Sequence, residues 1–386
     1  MKRINIGLFI DTYFPMIDGV IMVVDNYARK LSEYANVTVF APSVDKKYDD
    51  SKLPYKVVRC KSIKLHFIDY SLPSPKVDRE FLKELDKSNL DIVHIHSPFT
   101  IGKIGISYAK KHNIPVVATM HSQFKQDFKR ALKTKSLANV GTKIVIDVFN
   151  KCDECWAVNN GIAKLYYEDY KYKEMPKVTT NATDLLPVEN RDESIDRINK
   201  KYKLKDEIVF LFVGRINKLK NIFFIVDSLK YYKEYNRNFK MLFVGTGQDE
   251  DKLKEYVKEK GLDKNVIFVG KISNRDELRD YYVRSDLFLF PSLYDANSIV
   301  QIEAASQKLP CLFLDTAKTA SDIKDNITGF LSKEEPKEYA KRINEIMTDK
   351  KLYNKVSENT FKELYVTWDD VAKKVYKRYL ELIERR

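Results

Sequence analysis

Two acids stand close together in the segment SLYDANSIVQIEAASQK, residues 292–308. Asp295 and Glu303 are eight positions apart, and no other charged residue lies between them. A helix is predicted to begin near Asn297 or Ser298, which puts Glu303 one to two turns inside it. A carboxylate buried there alone would cost several kcal/mol, so it needs hydrogen-bond donors. Sugar hydroxyls are such donors, and N–H groups at a helix start bind phosphate. The pair therefore predicts a clamp on a sugar phosphate.

Two cations follow a strand in the second half of the chain. Arg215 and Lys220 lie in GRINKLKN, between the apolar run IVFLFVG and a helical segment. Two positive charges at a helix N-terminus suit a diphosphate, which an arginine can contact with two hydrogen bonds. An ordinary basic surface loop is the alternative, but the position directly after a strand favours an anion site.

Two candidates follow strands in the first half. His121, in ATMHSQF, comes directly after the strand PVVATM and could donate to a substrate or stabilise charge, with a structural role as the alternative. His94 and His96, in HIHSPF, are interpreted as mostly structural. Gly19 precedes a helix predicted to begin near Val20, so that a ligand could approach the backbone. The glycine is a weak signal, because the dinucleotide fingerprint GxGxxG is absent.

Asp249 and Asp251 form an acid-x-acid pair in GTGQDEDKL that could chelate Mg²⁺ or Mn²⁺. The favoured interpretation is that these acids cap the following helix and complement its dipole. No metal site and no cofactor are predicted.

The elements that would position these candidates alternate along the chain. Apolar strands such as DIVHIH and FKMLFVG are separated by helical segments, a pattern typical of parallel sheets covered on both faces. A charged stretch after Leu186 interrupts the alternation. We expect two doubly wound Rossmann-like α/β domains, residues 1–186 and 187–365, followed by an amphipathic helix at residues 366–386. Ligands of such sheets bind at the carboxyl ends of the strands, here in a cleft expected between the domains.

Composition narrows the class of protein. The 386 residues are 44% hydrophobic and 32% charged, which is typical of a globular protein. No run approaches the roughly 18 apolar residues of a membrane-spanning helix, and the N-terminus is interpreted as a strand, not a signal peptide. The scattered cysteines are interpreted as reduced thiols, so a cytoplasmic protein is expected. The net charge of +13 favours acidic partners such as nucleotides or anionic lipids, whereas no nucleic-acid-binding module is recognisable.

The densest basic cluster is FKQDFKRALKTKS, Phe124–Ser136. On one helix, its lysines would fall near one side and Phe124, Phe128 and Leu132 would form a neighbouring apolar stripe. The segment could lie on the inner face of an anionic membrane. The alternative is a solvated helix whose apolar stripe faces the core.

Taken together, several motifs resemble those of the family 4 glycosyltransferases, retaining enzymes with the GT-B fold. These motifs cover nearly the whole chain: HIHSPFTIG, ATMHSQF, KVTTNATD, VGRINKLKN, VGTGQDEDKL, FPSLYDANSIVQIEA and ITGFL. The resemblance is to bacterial glycolipid and cell-envelope enzymes. It implies that the C-terminal helix crosses back onto the first domain.

The resemblance also implies roles for the candidates. Glu303 would hold the ribose of the donor nucleotide, and Asp295 would contact the donor sugar. Backbone amides of Asn297, Ser298 and Ile299 would line the sugar and phosphate.

The charge of the leaving diphosphate would be neutralised by Arg215 and Lys220. Gly19 would let the first helix approach the diphosphate, and His121 would reach the transferred sugar and the acceptor. Such enzymes need no metal ion.

The chain departs from the family pattern at three places. Asp295 replaces the usual glutamate, Ala296 and Ser298 stand where glycines are common, and Asn221 replaces a glycine after Lys220. The expected activity is transfer of a hexose from a nucleotide diphosphate sugar, with UDP as the expected carrier, to a hydroxyl of a glycolipid or cell-envelope glycan. The alternative is a catalytically weak or degraded GT-B partner subunit that binds sugar or nucleotide without turnover.

Overall fold

The computed structural model describes residues 3–16, 18–43, 48–64 and 71–386. The chain divides into two compact units. Unit 1 consists of Met1–Asn181 and Trp368–Arg386, and unit 2 consists of Ala182–Thr367. The predicted pair of Rossmann-like α/β domains is confirmed.

The strands of unit 1 are β1 (Asn5–Phe9), β2 (Asn36–Pro42), β3 (Lys56–Cys60), β4 (Ser62–Lys64), β5 (Ser71–Pro73), β6 (Ile92–Ile95), β7 (Val116–Met120), β8 (Glu154–Ala157) and β9 (Lys177–Val178). Its α-helices are α1 (Gly19–Leu31), α2 (Arg79–Lys87), α3 (Thr100–His112), α4 (Phe124–Leu132), α5 (Lys135–Phe149), α6 (Asn160–Lys164) and, at the C-terminus, α14 (Trp368–Glu384).

The strands of unit 2 are β10 (Ile208–Val213), β11 (Phe239–Val244), β12 (Val266–Gly270), β13 (Leu287–Phe290), β14 (Cys311–Leu314) and β15 (Phe330–Ser332). Its α-helices are α7 (Arg191–Tyr202), α8 (Ile222–Tyr235), α9 (Glu250–Glu259), α10 (Arg275–Arg284), α11 (Ile299–Ser306), α12 (Pro336–Thr348) and α13 (Lys350–Leu364).

The main sheet of each unit is parallel and reverses its winding at one strand. In unit 1 the order is β3-β2-β1-β6-β7-β8-β9, and in unit 2 it is β12-β11-β10-β13-β14-β15. Consecutive connections therefore diverge from β1 towards β2 and β6, and from β10 towards β11 and β13. Such switch points leave a crevice at the carboxyl ends of the two central strands, where ligands of doubly wound sheets bind.

The strands are buried because helices cover both faces of each sheet. All residues of β6, β7, β8, β13 and β14 are buried, as expected for parallel strands that read as continuous apolar runs. The charged stretch after Leu186, which showed almost no strand character, forms helix α7.

Helix α14 packs against the N-terminal part of unit 1. Trp368, at its start, lies edge-on to Tyr27 of α1, with ring centroids 5.5 Å apart. Tyr379 stacks on Trp156 of β8 at 5.9 Å. Arg378 forms an ion pair with the Glu154 carboxylate. The apolar face of this amphipathic helix is therefore buried in unit 1.

Candidate functional site

The loop that follows β10 is held by close backbone contact with the loop that follows β11. A Cβ atom on Gly245 would lie 1.9 Å from the carbonyl oxygen of Gly214, and one on Gly247 would lie 2.2 Å from that of Ile216. Only glycine permits this approach. The peptide N–H of Ile216 donates to Thr246 O at 3.0 Å. This contact fixes the backbone on either side of Arg215, whose side chain is exposed.

Asp249 secures the same loop. Its Oδ2 accepts a hydrogen bond from the Lys218 N–H at 2.8 Å, and it makes no side-chain cap on α9. Asp249 is the N-cap residue of α9, as expected, but its carboxylate turns towards the neighbouring loop, so the expected side-chain cap is not formed. Asp251 lies in the first turn of α9, where an acid complements the helix dipole as expected. Asp251 differs sharply, since its side chain is 98% exposed.

Lys220 and Asp295, predicted as separate contacts to diphosphate and sugar, form an ion pair. Their side chains are only 18% and 13% exposed, respectively. Ser292 donates its hydroxyl to the other carboxylate oxygen at 2.5 Å. The structure thus brings together the loop after β10 and the loop after β13, the two strands that flank the switch point of unit 2.

Asn221 accounts for one departure from the family pattern. Its φ is 58°, in the left-handed region where glycine is common and asparagine is tolerated. Its side-chain amide donates to Pro291 O at 3.3 Å. Asparagine therefore preserves the turn and also ties the Lys220 loop to the end of β13.

The segment that leads into α11 is ordered by side-chain hydrogen bonds. The helix begins at Ile299, one residue after its N-cap Ser298. Asn297 Oδ1 accepts from Gln301 Nε2 at 2.9 Å, and Gln301 Oε1 accepts from the Thr319 hydroxyl at 2.9 Å. The amides of residues 297–299 are thus held in a defined place near Asp295.

Glu303 is buried, as predicted, but the protein supplies hydrogen-bond donors for both of its carboxylate oxygens. Arg275 Nη2 donates to Oε1 at 2.7 Å, and the Tyr282 hydroxyl donates to Oε2 at 2.7 Å. Arg275 also pairs with Asp184 at 2.6 Å. Sugar hydroxyls are therefore not needed to offset the burial of Glu303, although each oxygen keeps a second lone pair.

The electrostatics of this cluster keep its groups in defined states. Burial by itself would lower the pKa of Arg275, but the Glu303 and Asp184 carboxylates outweigh it and raise that pKa, so the guanidinium stays charged. Burial, together with the Glu303 charge, raises the pKa of Tyr282 well above its usual value. Tyr282 therefore remains a hydrogen-bond donor to Glu303.

Sequence reasoning missed Arg275, Tyr282 and Asp184. The first two are seven positions apart on α10, which puts them on one face of that helix. Their contact with Glu303 joins segments distant in the sequence, so no local pattern signals it.

In unit 1, Gly19 is the first residue of α1, one residue earlier than predicted. Asp18 caps this helix, accepting from the Ile21 N–H at 2.9 Å. A Cβ added at Gly19 would meet no atom within 4 Å among the described residues. The protein itself therefore does not require glycine here, and the space beside the helix start is open to a ligand.

His121 is half-buried at the carboxyl end of β7, in contact with His96 from the end of β6. His121 Nε2 lies 3.0 Å from His96 Nδ1. Burial lowers the pKa of His121 to about 3, and it also lowers the pKa values of His94 and His96. All three rings are therefore neutral at physiological pH.

The helix start at the switch point of unit 1 is occupied by an acid of the chain itself. Asp11, two residues after the end of β1, accepts hydrogen bonds from the N–H of Ile101 at 2.7 Å and from the Ser97 hydroxyl at 2.7 Å. Asp11 is buried, and burial raises its pKa despite these hydrogen bonds. This carboxylate takes the place that an anionic ligand would occupy at the start of α3.

Two family models match the chain. The model for "Glycosyltransferase Family 4" matches residues 17–185, and the model for "Glycosyl transferases group 1" matches residues 194–363. The chain belongs to the family 4 glycosyltransferases. Among relatives of this glycosyltransferase, the alpha-monoglucosyldiacylglycerol synthase of Acholeplasma laidlawii is 26% identical over 404 residues, covering 99% of this chain and 98% of the relative.

Solved structures share the fold of this glycosyltransferase. Anabaena Alr3699/HepE, in complex with UDP and glucose, superposes with a TM-score of 0.76 at 13% identity, covering 97% of this chain and 99% of that chain. Sucrose-phosphate synthase from Thermosynechococcus elongatus superposes with a TM-score of 0.79 at 18% identity and covers 100% of both chains. The architecture is the GT-B fold.

The basic segment of the glycosyltransferase does not form one helix over residues 124–136. Helix α4 ends at Leu132, and Lys133, with φ of 55°, is its left-handed C-cap. The ring of Phe124 lies 6.5 Å from that of Phe149, and a Cβ on Gly141 would lie 2.9 Å from the Phe128 ring. Phe124 and Phe128 therefore pack against α5, although no residue of α4 is fully buried.

An exposed apolar surface lies instead on α5. Leu137, Val140 and Ile144, which are 51%, 55% and 51% exposed, lie on one face of that helix. Leu132 at the end of α4 is also 42% exposed. Four lysines in or next to α4 and α5 are exposed as well: Lys129, Lys133, Lys135 and Lys143. We call this group of side chains the α5 surface.

Residues 3–16, 18–43, 48–64 and 71–386 show neither a metal-binding cluster nor a membrane-spanning helix. No group of three or more His, Cys, Asp or Glu side chains there is arranged to hold a metal ion. No helix in those ranges is both long enough and apolar enough to cross a membrane.

Proposed function

We propose that this glycosyltransferase is a retaining, metal-independent hexosyltransferase. It transfers a hexose from a UDP-linked sugar to a hydroxyl of a glycolipid or cell-envelope glycan. Glucose is the first sugar to test and diacylglycerol the first acceptor, because the relative from Acholeplasma laidlawii is named an alpha-monoglucosyldiacylglycerol synthase. The UDP carrier is supported by the structural neighbour Alr3699/HepE, which was solved with UDP and glucose.

The observation that carries the proposal is the contact of Lys220 with Asp295 at the switch point of unit 2. A bound donor would replace the ion pair between Lys220 and Asp295 with separate contacts from each of these residues to the donor. Its diphosphate would attract the Lys220 ammonium and the Arg215 guanidinium, and its sugar hydroxyls would donate to Asp295. The backbone amides at 297–299 would face the sugar and phosphate, and Glu303 would accept from the ribose hydroxyls. Gly19 of unit 1 would allow α1 to approach the diphosphate.

The chemistry assigned to these residues is mainly electrostatic. As the bond between the sugar C1 and the UDP oxygen breaks, negative charge grows on the diphosphate, and Lys220 and Arg215 stabilise it. The acceptor oxygen bonds to C1 from the same face, and the leaving phosphate takes the acceptor proton. No side chain then has to act as nucleophile, and His121 contacts the transferred sugar and the acceptor.

The α5 surface supports a peripheral position on the inner face of the cell membrane. Its four exposed apolar side chains offer area for burial at the lipid interface, and its exposed lysines match anionic headgroups. This arrangement suits an acceptor that stays in the bilayer, because the enzyme must reach its hydroxyl there.

The enzymatic proposal is tested by incubating the chain with UDP-glucose and diacylglycerol in phosphatidylglycerol vesicles. Release of UDP and formation of glucosyl lipid are measured, and the anomeric configuration of the product is read by NMR. We expect an α-linked product, and we expect Glu303→Ala to reduce kcat/KM by about 100-fold or more. Asp251→Ala, which removes an exposed acid of unit 2, is the matched control and should stay within about 2-fold.

Other outcomes decide against parts of the proposal. UDP binding with no turnover by the wild-type chain, across a panel of sugars and acceptors, would favour the weak or degraded partner subunit. Equal losses in Glu303→Ala and Asp251→Ala would refute the site assignment.

The membrane proposal is tested separately by vesicle flotation. The wild-type chain should float with phosphatidylglycerol vesicles and less with neutral phosphatidylcholine vesicles. Leu137→Glu combined with Ile144→Glu should abolish flotation, whereas Leu186→Glu, at a 60% exposed position in unit 2, should not. Unchanged flotation of the double variant would rule out the α5 surface.

A further inference from the structure

Three histidine rings form a row along the carboxyl ends of β6 and β7. The His94 and His96 rings lie 4.0 Å apart, and the His96 and His121 rings lie 5.3 Å apart. His94 is anchored at both nitrogens, with Nδ1 2.5 Å from the Tyr379 hydroxyl and Nε2 2.7 Å from the Thr119 hydroxyl. The row therefore runs from helix α14 to the half-buried ring of His121.

The middle ring has one nitrogen with a partner and one without. His96 is 3% exposed, its Nδ1 contacts His121 Nε2, and its Nε2 has no hydrogen-bond partner among the described residues. The surrounding rings of His94 and Tyr27, at 4.0 and 5.7 Å, leave the His96 ring little room to turn.

This asymmetry decides which nitrogen carries the proton. A neutral imidazole has one N–H and one bare nitrogen. If His121 donated, His96 would carry its proton on Nε2, as a buried N–H with no acceptor, which is the rarest arrangement in folded proteins. If His96 donates from Nδ1, its Nε2 is a bare nitrogen and the His121 proton must be on Nδ1.

We propose that His96 is a positioning residue that holds His121 in its Nδ1–H form, so that unit 1 offers the substrates a hydrogen-bond donor and not a general base. The lone pair of His121 Nε2 is already used by His96. The role in transfer rests on the proposed function, because it assumes that His121 contacts the transferred sugar or the acceptor. A neutral donor at this place fits a reaction in which the leaving phosphate, not the protein, removes the acceptor proton.

The wild-type protein provides the first test. Ring ¹⁵N chemical shifts of the folded full chain distinguish the two neutral tautomers, and the His121 signals are assigned by their loss in His121→Asn. We expect His121 and His96 both to be protonated at Nδ1. A His121 proton on Nε2 would overturn the proposal, whatever the activity of the protein.

Two variants at His96 test the consequence for transfer. His96→Phe keeps a ring but cannot donate, so His121 should leave the pure Nδ1–H form and kcat should fall about 10-fold. His96→Asn carries an amide nitrogen bonded to Cγ, as Nδ1 is, and should restore most of the tautomer and of the rate. UDP affinity should stay unchanged in both, because neither His96 nor His121 is assigned to the nucleotide.

The results separate this inference from the proposed function. An active wild type with unchanged kcat and tautomer in His96→Phe contradicts the inference alone. A wild type that transfers no sugar, with His121 protonated at Nδ1, contradicts the proposed function and removes the catalytic part of the inference.

Discussion

The switch points of units 1 and 2 have the same strand order but carry side chains of opposite charge in the loop after the central strand. In unit 1 the loop after β1 carries Asp11, whose carboxylate accepts hydrogen bonds from the start of α3. In unit 2 the loop after β10 carries Arg215 and Lys220, and Lys220 pairs with Asp295 from the loop after β13. One doubly wound crevice is thus closed by an internal anion, and the other presents cations near a partly exposed helix start. Because the strand order around the two switch points is the same, single side chains in the loops decide which of them can bind an anionic ligand.

The largest expected effect comes from removing a cation of the unit 2 switch point, and it is an effect on catalysis. Lys220→Ala removes the ammonium that would stabilise the leaving diphosphate, so kcat should fall by about 100- to 1,000-fold. Steady-state release of UDP measures it, with Lys252→Ala, at an exposed lysine of α9, as the control. A Lys220→Ala variant within a few-fold of the wild type would show that the cation is not part of the site.

Removing the acid of the unit 1 switch point should lower the stability of that unit. Asp11→Ala leaves the start of α3 without its charged acceptor, so unit 1 should lose about 3 kcal/mol of unfolding free energy. Trp156 and Trp368, the only two tryptophans in the sequence, both belong to unit 1. Tryptophan fluorescence during urea unfolding therefore reports on this unit.

The control for that measurement is Glu174→Ala, at an exposed acid of unit 1. It should change the unfolding free energy by less than about 0.5 kcal/mol. UDP affinity of Asp11→Ala should equal that of the wild type, and a loss of affinity would mean that the two switch points are not independent.

The units should also respond differently to pH. Burial lowers the pKa values of His94, His96 and His121 from 6.5. Below pH 6.5 the histidines of the unfolded chain bind protons that folded unit 1 does not bind, so the unfolding free energy falls as the pH falls. The contribution of the three neutral histidines to this free energy is fully present above about pH 7.5. From pH 8 to pH 6 the loss should be roughly 2.5 kcal/mol for the three groups together.

Unit 2 is the internal control, since every histidine of the sequence precedes residue 122. Its unfolding, followed by far-UV circular dichroism after the tryptophan transition, should be nearly constant over the same pH range. A unit 1 that is equally stable at both pH values would contradict the neutral, buried histidine row.

The smallest effect concerns the departure at Asp295. Asp295→Glu lengthens the acid by one methylene, about 1.5 Å, and keeps its charge opposite Lys220. We expect the KM for the donor to change by less than about 10-fold and kcat to be retained. Asp295→Asn, which removes the charge, should lower kcat more. If Asp295→Glu instead raises kcat 100-fold, the natural chain is a weakened enzyme.

Much of the fold could be predicted from the sequence, because continuous apolar strands and amphipathic helices carry local patterns. Most strands of the two main sheets and the helical C-terminus were recognised in this way. The short strands β9 and β15 were missed, since two or three residues carry no periodicity. The expectation of a single helix at residues 124–136 was wrong because nothing local signals that Lys133 adopts a left-handed conformation.

In the candidate site too, features with a local sequence pattern could be predicted and long-range contacts could not. The sequence indicated which residues follow strands and therefore lie at the ligand-binding edge, among them Arg215, Lys220, Asp295 and His121. The sequence did not indicate the hydrogen-bond partners of the site residues. Arg275 and Tyr282 donate to Glu303, and His96 contacts His121. For Asp249 the sequence indicated the N-cap position but not the direction of the carboxylate, because its hydrogen-bond partner Lys218 lies 31 residues away in the sequence.

By itself, the sequence determined the two parallel α/β sheets, the glycosyltransferase family and the sheet edges at which charged residues collect. These properties follow from patterns between neighbours in the chain. Only the tertiary structure decided that Lys220 meets Asp295, that Asp11 closes the crevice of unit 1 and that His96 contacts His121. Each of those contacts joins loops dozens of residues apart, and hydrogen-bond geometry, which acts over about 3 Å, is set by packing and not by sequence distance.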